Sequence, residues 1–168
     1  MVNRAVANNK IAFNPFASYK LERQEVSPDF LNEDELRRII NFNSPLPRLE
    51  RTRDMFLFAC YTGLSYIDVK TLKVEHLERD NQGRMWIKKK RVKTGVLARI
   101  PLLPNAKMLI DKYAGGDTLM PIYSDKDINL YLKDIAILCH IDKRITYHTA
   151  RHTFASTVTL ANNISLIV

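Results

Sequence analysis

No stretch of this 168-residue chain approaches the about 18 consecutive apolar residues that span a membrane. Its longest apolar run, Met55-Phe56-Leu57-Phe58-Ala59-Cys60-Tyr61, has seven. The start, M-V-N-R-A-V-A-N-N-K, has neither the apolar stretch nor the cleavage site of a secretory signal. Cysteine is scarce: Cys60 and Cys139 each lie in an apolar segment and read as buried free thiols of a reducing compartment. There is no internal repeat and no low-complexity tract. These absences point to a cytoplasmic protein of one domain, with room for a fragment of a second. The last absence is local. From Arg84 to Arg99 there is no acidic residue, against seven basic ones: Arg84, Lys88, Lys89, Lys90, Arg91, Lys93 and Arg99.

What is present fits an ordinary globular protein, with 46% apolar and 26% charged residues. The charge is lopsided, at +8 with a pI near 9.6. An excess of cations favours a polyanionic partner through phosphate neutralisation and counterion release.

Along the chain, residues 1–12 read as the end of a helix, broken by Asn14-Pro15-Phe16 because proline disfavours helix in the residue before it. Residues 17–30 are polar and without period, a linker, so a compact domain is expected from about residue 30. It opens with Asn32 as N-cap and Glu35 three positions on, a capping box, with Leu31 and Leu36 as the hydrophobic staple. Leu36, Ile39 and Ile40 are its expected buried stripe. A second helix is predicted from Pro47 to Thr62, ended by Gly63 in the left-handed conformation. The period then changes to alternation over 74–102. D-N-Q-G at 80–83 and K-T-G at 93–95 divide this stretch, predicting an antiparallel meander of about three strands. Helical period returns over about 104–114, 125–139 and 146–161, the last with Ala150, Phe154, Ala155 and Val158 on one face. The expected class is α+β: a mainly helical domain with one small antiparallel three-stranded sheet. Ser165-Leu166-Ile167-Val168 resembles the first turn of a further apolar helix, so a truncation is expected.

Two constellations carry chemistry. The basic hairpin is either a solvated face or a DNA-facing ribbon; cations crowded on adjacent strands repel unless an anion is present, which favours the ribbon. Lys93 differs from its neighbours in lying beside the tight turn, where its ammonium can reach a ligand. The second is Y-H-T-A-R-H-T-F at 147–154. His148 and His152 have the i, i+4 spacing of zinc ligands, but the glutamate of H-E-x-x-H is replaced by Thr149 and Arg151 adds a repelling charge. A packed histidine with Arg151 in a salt bridge is a second reading. The third is an anion site at a helix start, with His148 and Arg151 on one face, unpaired backbone N–H groups nearby and a guanidinium fork matched to two phosphate oxygens. His152 is then a structural partner behind them.

H-T-A-R-H-T-F-A-S at 148–156 resembles the H-x-x-R-H-T-F-A box of tyrosine recombinases, the phage-integrase type of site-specific DNA recombinase. C-Y-T-G-L-S-Y-I-D-V-K-T-L at 60–72 resembles their T-G-L-R-x-x-E/D box. K-T-G-V-L-A-R-I-P-L at 93–102 resembles the hairpin carrying their catalytic lysine. The resemblance covers about residues 30–168, and residues 1–29 resemble the end of the family's core-binding domain and its linker. It implies transesterification without a metal or other cofactor, through a 3′-phosphotyrosyl link. Arg151 would bind the non-bridging oxygens and His148 donate to the phosphate or assist proton transfer. Lys93 would protonate the leaving 5′-oxygen, and Asp68 support the site. Arg84, Lys88, Lys89, Lys90, Arg91 and Arg99 would face DNA. The implied partners are duplex DNA, further recombinase protomers forming a tetramer, and accessory DNA-bending proteins, in a bacterial cytoplasm.

The sequence departs from the family twice. Ser65 occupies the position of the first arginine, and with Asp68 forms an S-x-x-D helix start. Either another basic residue enters the site or the phosphate is held less firmly. The family's G-H-x-x-x-x-T-T segment and nucleophilic tyrosine are also expected beyond residue 168. The chain as given is therefore expected to bind DNA without cleaving it. The alternative is a non-catalytic DNA-binding or regulatory protein that keeps the fold; the gene beyond codon 168 discriminates the two.

Overall fold

The computed structural model describes residues 2–16, 29–116 and 118–159. Helix α1 (Val2–Ala7) buries none of its residues. The chain then bends at Asn14, whose side chain donates to Asn3 Oδ1 at 2.9 Å and accepts from the Phe16 amide at 2.9 Å. Most of the expected linker, 17–28, and the terminal S-L-I-V lie outside the described residues.

Helix α2 (Glu33–Asn41) starts as its sequence dictates. Asn32 Oδ1 accepts from Glu35 N, and Glu35 returns a bond to the Asn32 amide at 2.8 Å. Leu31, Leu36 and Ile39 are buried, but Ile40 is 41% exposed. Only one narrow side of this short helix meets the core, and Glu35, held by Lys143 at 2.8 Å, completes that side instead. Helix α3 (Pro47–Thr62) has the predicted bounds and is buried almost continuously from Asp54 onward. It is the hub against which α5 (Pro104–Lys112), α6 (Asp125–Leu138) and α7 (Tyr147–Thr153) pack. Gly63 ends it at φ +65°. A Cβ there would stand 2.5 Å from the Phe154 ring, so glycine is required for the close approach of the α3 end to the last helix. A short helix, α4 (Tyr66–Lys70), follows.

The meander is three antiparallel strands in sequence order: β1 (Leu77–Arg79), β2 (Met85–Lys90) and β3 (Leu97–Pro101). Register pairs Ile87 with Leu77 and Ile100, putting apolar side chains on the inner face. Alternation then sends Lys89 inward as well, opposite Ala98. Both cysteines are buried and free.

After α7 the chain makes a π turn over Phe154–Val158, the Thr159 amide bonding to Phe154 O five residues back. The wider turn displaces the expected α-helical face: Ala150 and Val158 are buried, whereas Ala155 is exposed. Thr157 and Thr159 are buried with them. This segment clasps the domain's opening residue. Thr153 Oγ1 accepts from the Leu31 amide at 3.0 Å, and the Thr157 hydroxyl donates to Leu31 O at 2.6 Å.

Candidate functional site

Three joints of the fold meet at one cleft of about 770 Å³: the α3–α4 junction, the β2–β3 turn and the start of α7. Ser65, Lys93, His148 and Arg151 all line it. Lys93 reaches it because Arg91 and Val96 close the β2–β3 turn (Arg91 N to Val96 O, 2.8 Å) and Gly95 takes φ +69°. Lys126, Lys133 and Arg144 line it too, which the motif boxes did not indicate. Lys126 and Lys133 are seven apart on α6 and so share a face, a signal available in the sequence. Among the lining side chains Asp125 is the one carboxylate. Such a lining suits an anion.

The start of α7 is anchored by α6, with Asn129 Oδ1 accepting from the Tyr147 amide at 2.8 Å. Thr149 N bonds Thr146 O at 2.9 Å. The Tyr147 and Thr149 amides are therefore already engaged, where free N–H groups were expected. Arg151 is half-buried and reaches toward Gly63 O at 3.5 Å. Burial depresses its pKa first and the nearby Arg91 charge second, with Asp68 opposing both.

Asp68 is buried on α4 and does not itself line the cleft. Its Oδ1 accepts from the Val92 amide at 2.9 Å and its Oδ2 from the Ser65 hydroxyl at 2.7 Å. Arg91 Nη1 stands 4.0 Å from that same Oδ2. The hydroxyl of Ser65 thus fixes Asp68 and caps α4.

His148 is exposed, and its ring meets that of His152 edge to face, centroids 4.7 Å apart. Burial first, then the neighbouring His148 and Arg151, lower the His152 pKa. Among the described residues no three His, Cys, Asp or Glu side chains cluster as a metal site requires.

The basic ribbon is less uniform than its sequence. Lys89 is not on the exposed face: it is buried and its ammonium donates to Thr71 O at 3.0 Å. Arg91 turns to Asp68. Carboxylates missing from 84–99 arrive from the adjoining strand and turn, Glu78 pairing Lys88 at 3.0 Å and Asp80 pairing Arg84 at 2.8 Å. Arg84 and Arg99 also lie over Trp86, at 5.8 and 4.8 Å from the ring centroid. Lys90 remains exposed.

The fold has close counterparts among solved structures. One is a lambda integrase dimer bound to a COC' core site, at TM-score 0.73 and 21% identity over 97% of this chain and 49% of that one. A second is the Tn1549 transposon integrase in complex with circular intermediate DNA, at TM-score 0.72 and 14% identity over 98% of this chain and 64% of that one. The integrase from mycobacterium phage Brujita matches at TM-score 0.63 and 18% identity, over 98% and 56%. This chain therefore spans about half to three-fifths of the length of these matched chains. No curated protein matches it in sequence. Residues 29–164 match the phage integrase family, and with this cleft and this fold in place the chain belongs to that family.

Proposed function

We propose that this chain is the catalytic domain of a site-specific DNA recombinase and that its cleft receives the scissile phosphodiester of duplex DNA. Residues 1–29 are then the end of a core-binding domain and its linker. The observation that carries the reading is convergence: Lys93, His148 and Arg151, from segments far apart in sequence, line one cleft with a cationic wall. The DNA complexes of the lambda and Tn1549 integrases support it.

Each side chain has a task that its chemistry suits. Charge builds on the non-bridging oxygens as a hydroxyl attacks phosphorus, and Arg151 presents a two-pronged cation to them. His148 donates a hydrogen bond to the same group. Lys93, on a flexible stem at a turn, gives a proton to the departing 5′-oxygen. The attacking tyrosine comes from outside the described residues. Of the tyrosines lining the cleft, Tyr66 donates its hydroxyl to Tyr123 O at 3.0 Å. Tyr147 is buried with its hydroxyl aimed at Met55 O at 3.4 Å, away from a phosphate in the cleft, and burial raises its pKa. The partners are duplex DNA and further protomers, as in the lambda integrase tetramer bound to a Holliday junction.

The test is incubation of the 168-residue chain with duplex DNA and with a nicked half-site substrate. Binding that weakens steeply as salt rises, and that falls about tenfold or more in Arg151→Ala, is expected. A covalent protein–DNA adduct would sink the assignment of the nucleophile to another segment. Salt-independent binding would sink the cleft. Ser65 favours a second reading, a DNA-binding protein that keeps the fold without catalysis. Lys93→Ala separates the two in a chain that carries the tyrosine, since slowed cleavage with intact binding belongs only to an enzyme.

A further inference from the structure

The family's first arginine is absent, and Ser65 does not replace it: its hydroxyl proton is already given to Asp68 at 2.7 Å. A second guanidinium nevertheless stands beside the site. Arg91, the first residue of the β2–β3 turn, approaches Oδ2 of Asp68, the oxygen that Ser65 holds. Residues 65 and 91 thus converge on the same carboxylate oxygen.

We propose that Arg91 is the missing arm of the phosphate clamp, a catalytic residue that binds a non-bridging oxygen together with Arg151. The proposal rests on the cleft receiving a phosphodiester.

Three observations carry it. First, Asp68 does not consume the donors of Arg91. Its oxygens already accept from the Val92 amide and the Ser65 hydroxyl, and 4.0 Å is an ion pair without a hydrogen bond. Among the described residues the Arg91 guanidinium donates no hydrogen bond, although its side chain is only 23% exposed. A half-buried fork with free donors is poised for an anion.

Second, Arg91 and Arg151 repel. The Arg91 charge lies close enough to depress the Arg151 pKa, and the single carboxylate between them offsets only one charge. Two guanidinia held this way are costly until an anion joins them, whereupon the repulsion becomes shared attraction. Lys126, Lys133 and Arg144 line the cleft but exert no such effect on Arg151.

Third, the backbone fixes Arg91 where it stands. Its amide bonds Val96 O and its carbonyl accepts from Gly95, each at 2.8 Å, and the next amide, Val92, is pinned to Asp68. Arg91 does not itself line the cleft; the turn that delivers Lys93 there holds Arg91 behind it, beside Asp68 and near enough to act on Arg151.

The experiment is a titration of the chain with inorganic phosphate at fixed ionic strength, following the arginine Nε–H resonances and the melting temperature. Wild type, Arg91→Ala, Arg91→Lys, Arg151→Ala and the pair Arg91→Ala with Ser65→Arg are compared. Arg91→Ala is expected to bind phosphate about tenfold more weakly and Arg91→Lys to be intermediate, because lysine keeps the charge but not the fork. Ser65→Arg is expected to restore binding in the Arg91→Ala background. Loss in Arg151→Ala with none in Arg91→Ala overturns the role of Arg91 and leaves the cleft standing. Loss in Arg91→Ala without rescue by Ser65→Arg also overturns it, since Arg91 would then act only by holding Asp68. No loss in either single variant overturns the cleft itself. Arg91→Lys keeps the test valid if the alanine variant folds poorly.

Discussion

Two of the described aspartates are buried, and their surroundings differ. Asp54 on α3 is saturated. Its Oδ1 accepts from Arg53 Nε and Nη2 at 2.9 and 2.7 Å, and its Oδ2 from Lys112 at 2.7 Å and Tyr113 at 2.6 Å. Arg53 also donates to Phe42 O, and Lys112 to Glu50 at 2.6 Å, so the cations too have companions. Asp68 receives one amide and one hydroxyl, with a guanidinium near but unbonded. The first cluster closes on itself and ties α3 to α5. The second is left open on its cationic side, as the proposed phosphate clamp requires.

Removing each carboxylate should expose that difference. Asp54→Ala is expected to cost about 3–5 kcal/mol in chemical denaturation, because it takes the carboxylate from a largely buried guanidinium and the acceptor from the Tyr113 hydroxyl. Asp68→Ala should cost less, about 1–3 kcal/mol, the loss of two hydrogen-bond acceptors and a loose pair. Phosphate should return part of the second loss by standing in for the carboxylate between Arg91 and Arg151, and none of the first. Equal losses, or equal recovery, would break the comparison.

Acid sharpens it further. Burial works against ionisation of Asp54, but the bonds from Lys112, Tyr113 and Arg53 outweigh it and hold its pKa below the ordinary carboxylate value. A depressed carboxylate stabilises the fold above its unfolded pKa, and that contribution disappears as pH falls through the folded one. The melting temperature should therefore drop as pH falls below about 4, and Asp54→Asn should flatten that part of the profile. An unchanged slope would remove Asp54 as the acid-sensitive centre. The smallest effect belongs to Lys112→Ala, at about 1 kcal/mol or less: its side chain is 40% exposed and solvent screens it.

Much of the fold was legible because local chemistry dictates it. The Asn32 capping box, the α3 bounds, the left-handed Gly63 and both turns of the meander follow from residue type and spacing. What escaped depends on partners distant in sequence. Nothing near Lys89 says that its strand register turns it under the sheet, and nothing in 84–99 says that Glu78 and Asp80 lie across from Lys88 and Arg84. The exposure of Ile40 reflects how little of α2 meets the core. The π turn at Phe154 has no counterpart in a period of 3.6. At the site, the three boxes led to Lys93, His148 and Arg151, which share the cleft. Arg91 was hidden in a run of lysines, distinguishable only once the turn swings it toward Asp68.

The clasp on Leu31 has a consequence for the growing chain. Its two bonds join residues 122 and 126 positions apart, so the entry to the domain waits for its last described turn. Loops of that length close late, and folding dominated by such contacts is slow. A ribosome must deliver Thr157 before Leu31, at the entry to α2, has both of its bonds. Shorter nascent chains carry most of the cations of the cleft but lack the clasp that fixes the start of the domain against its last described helix.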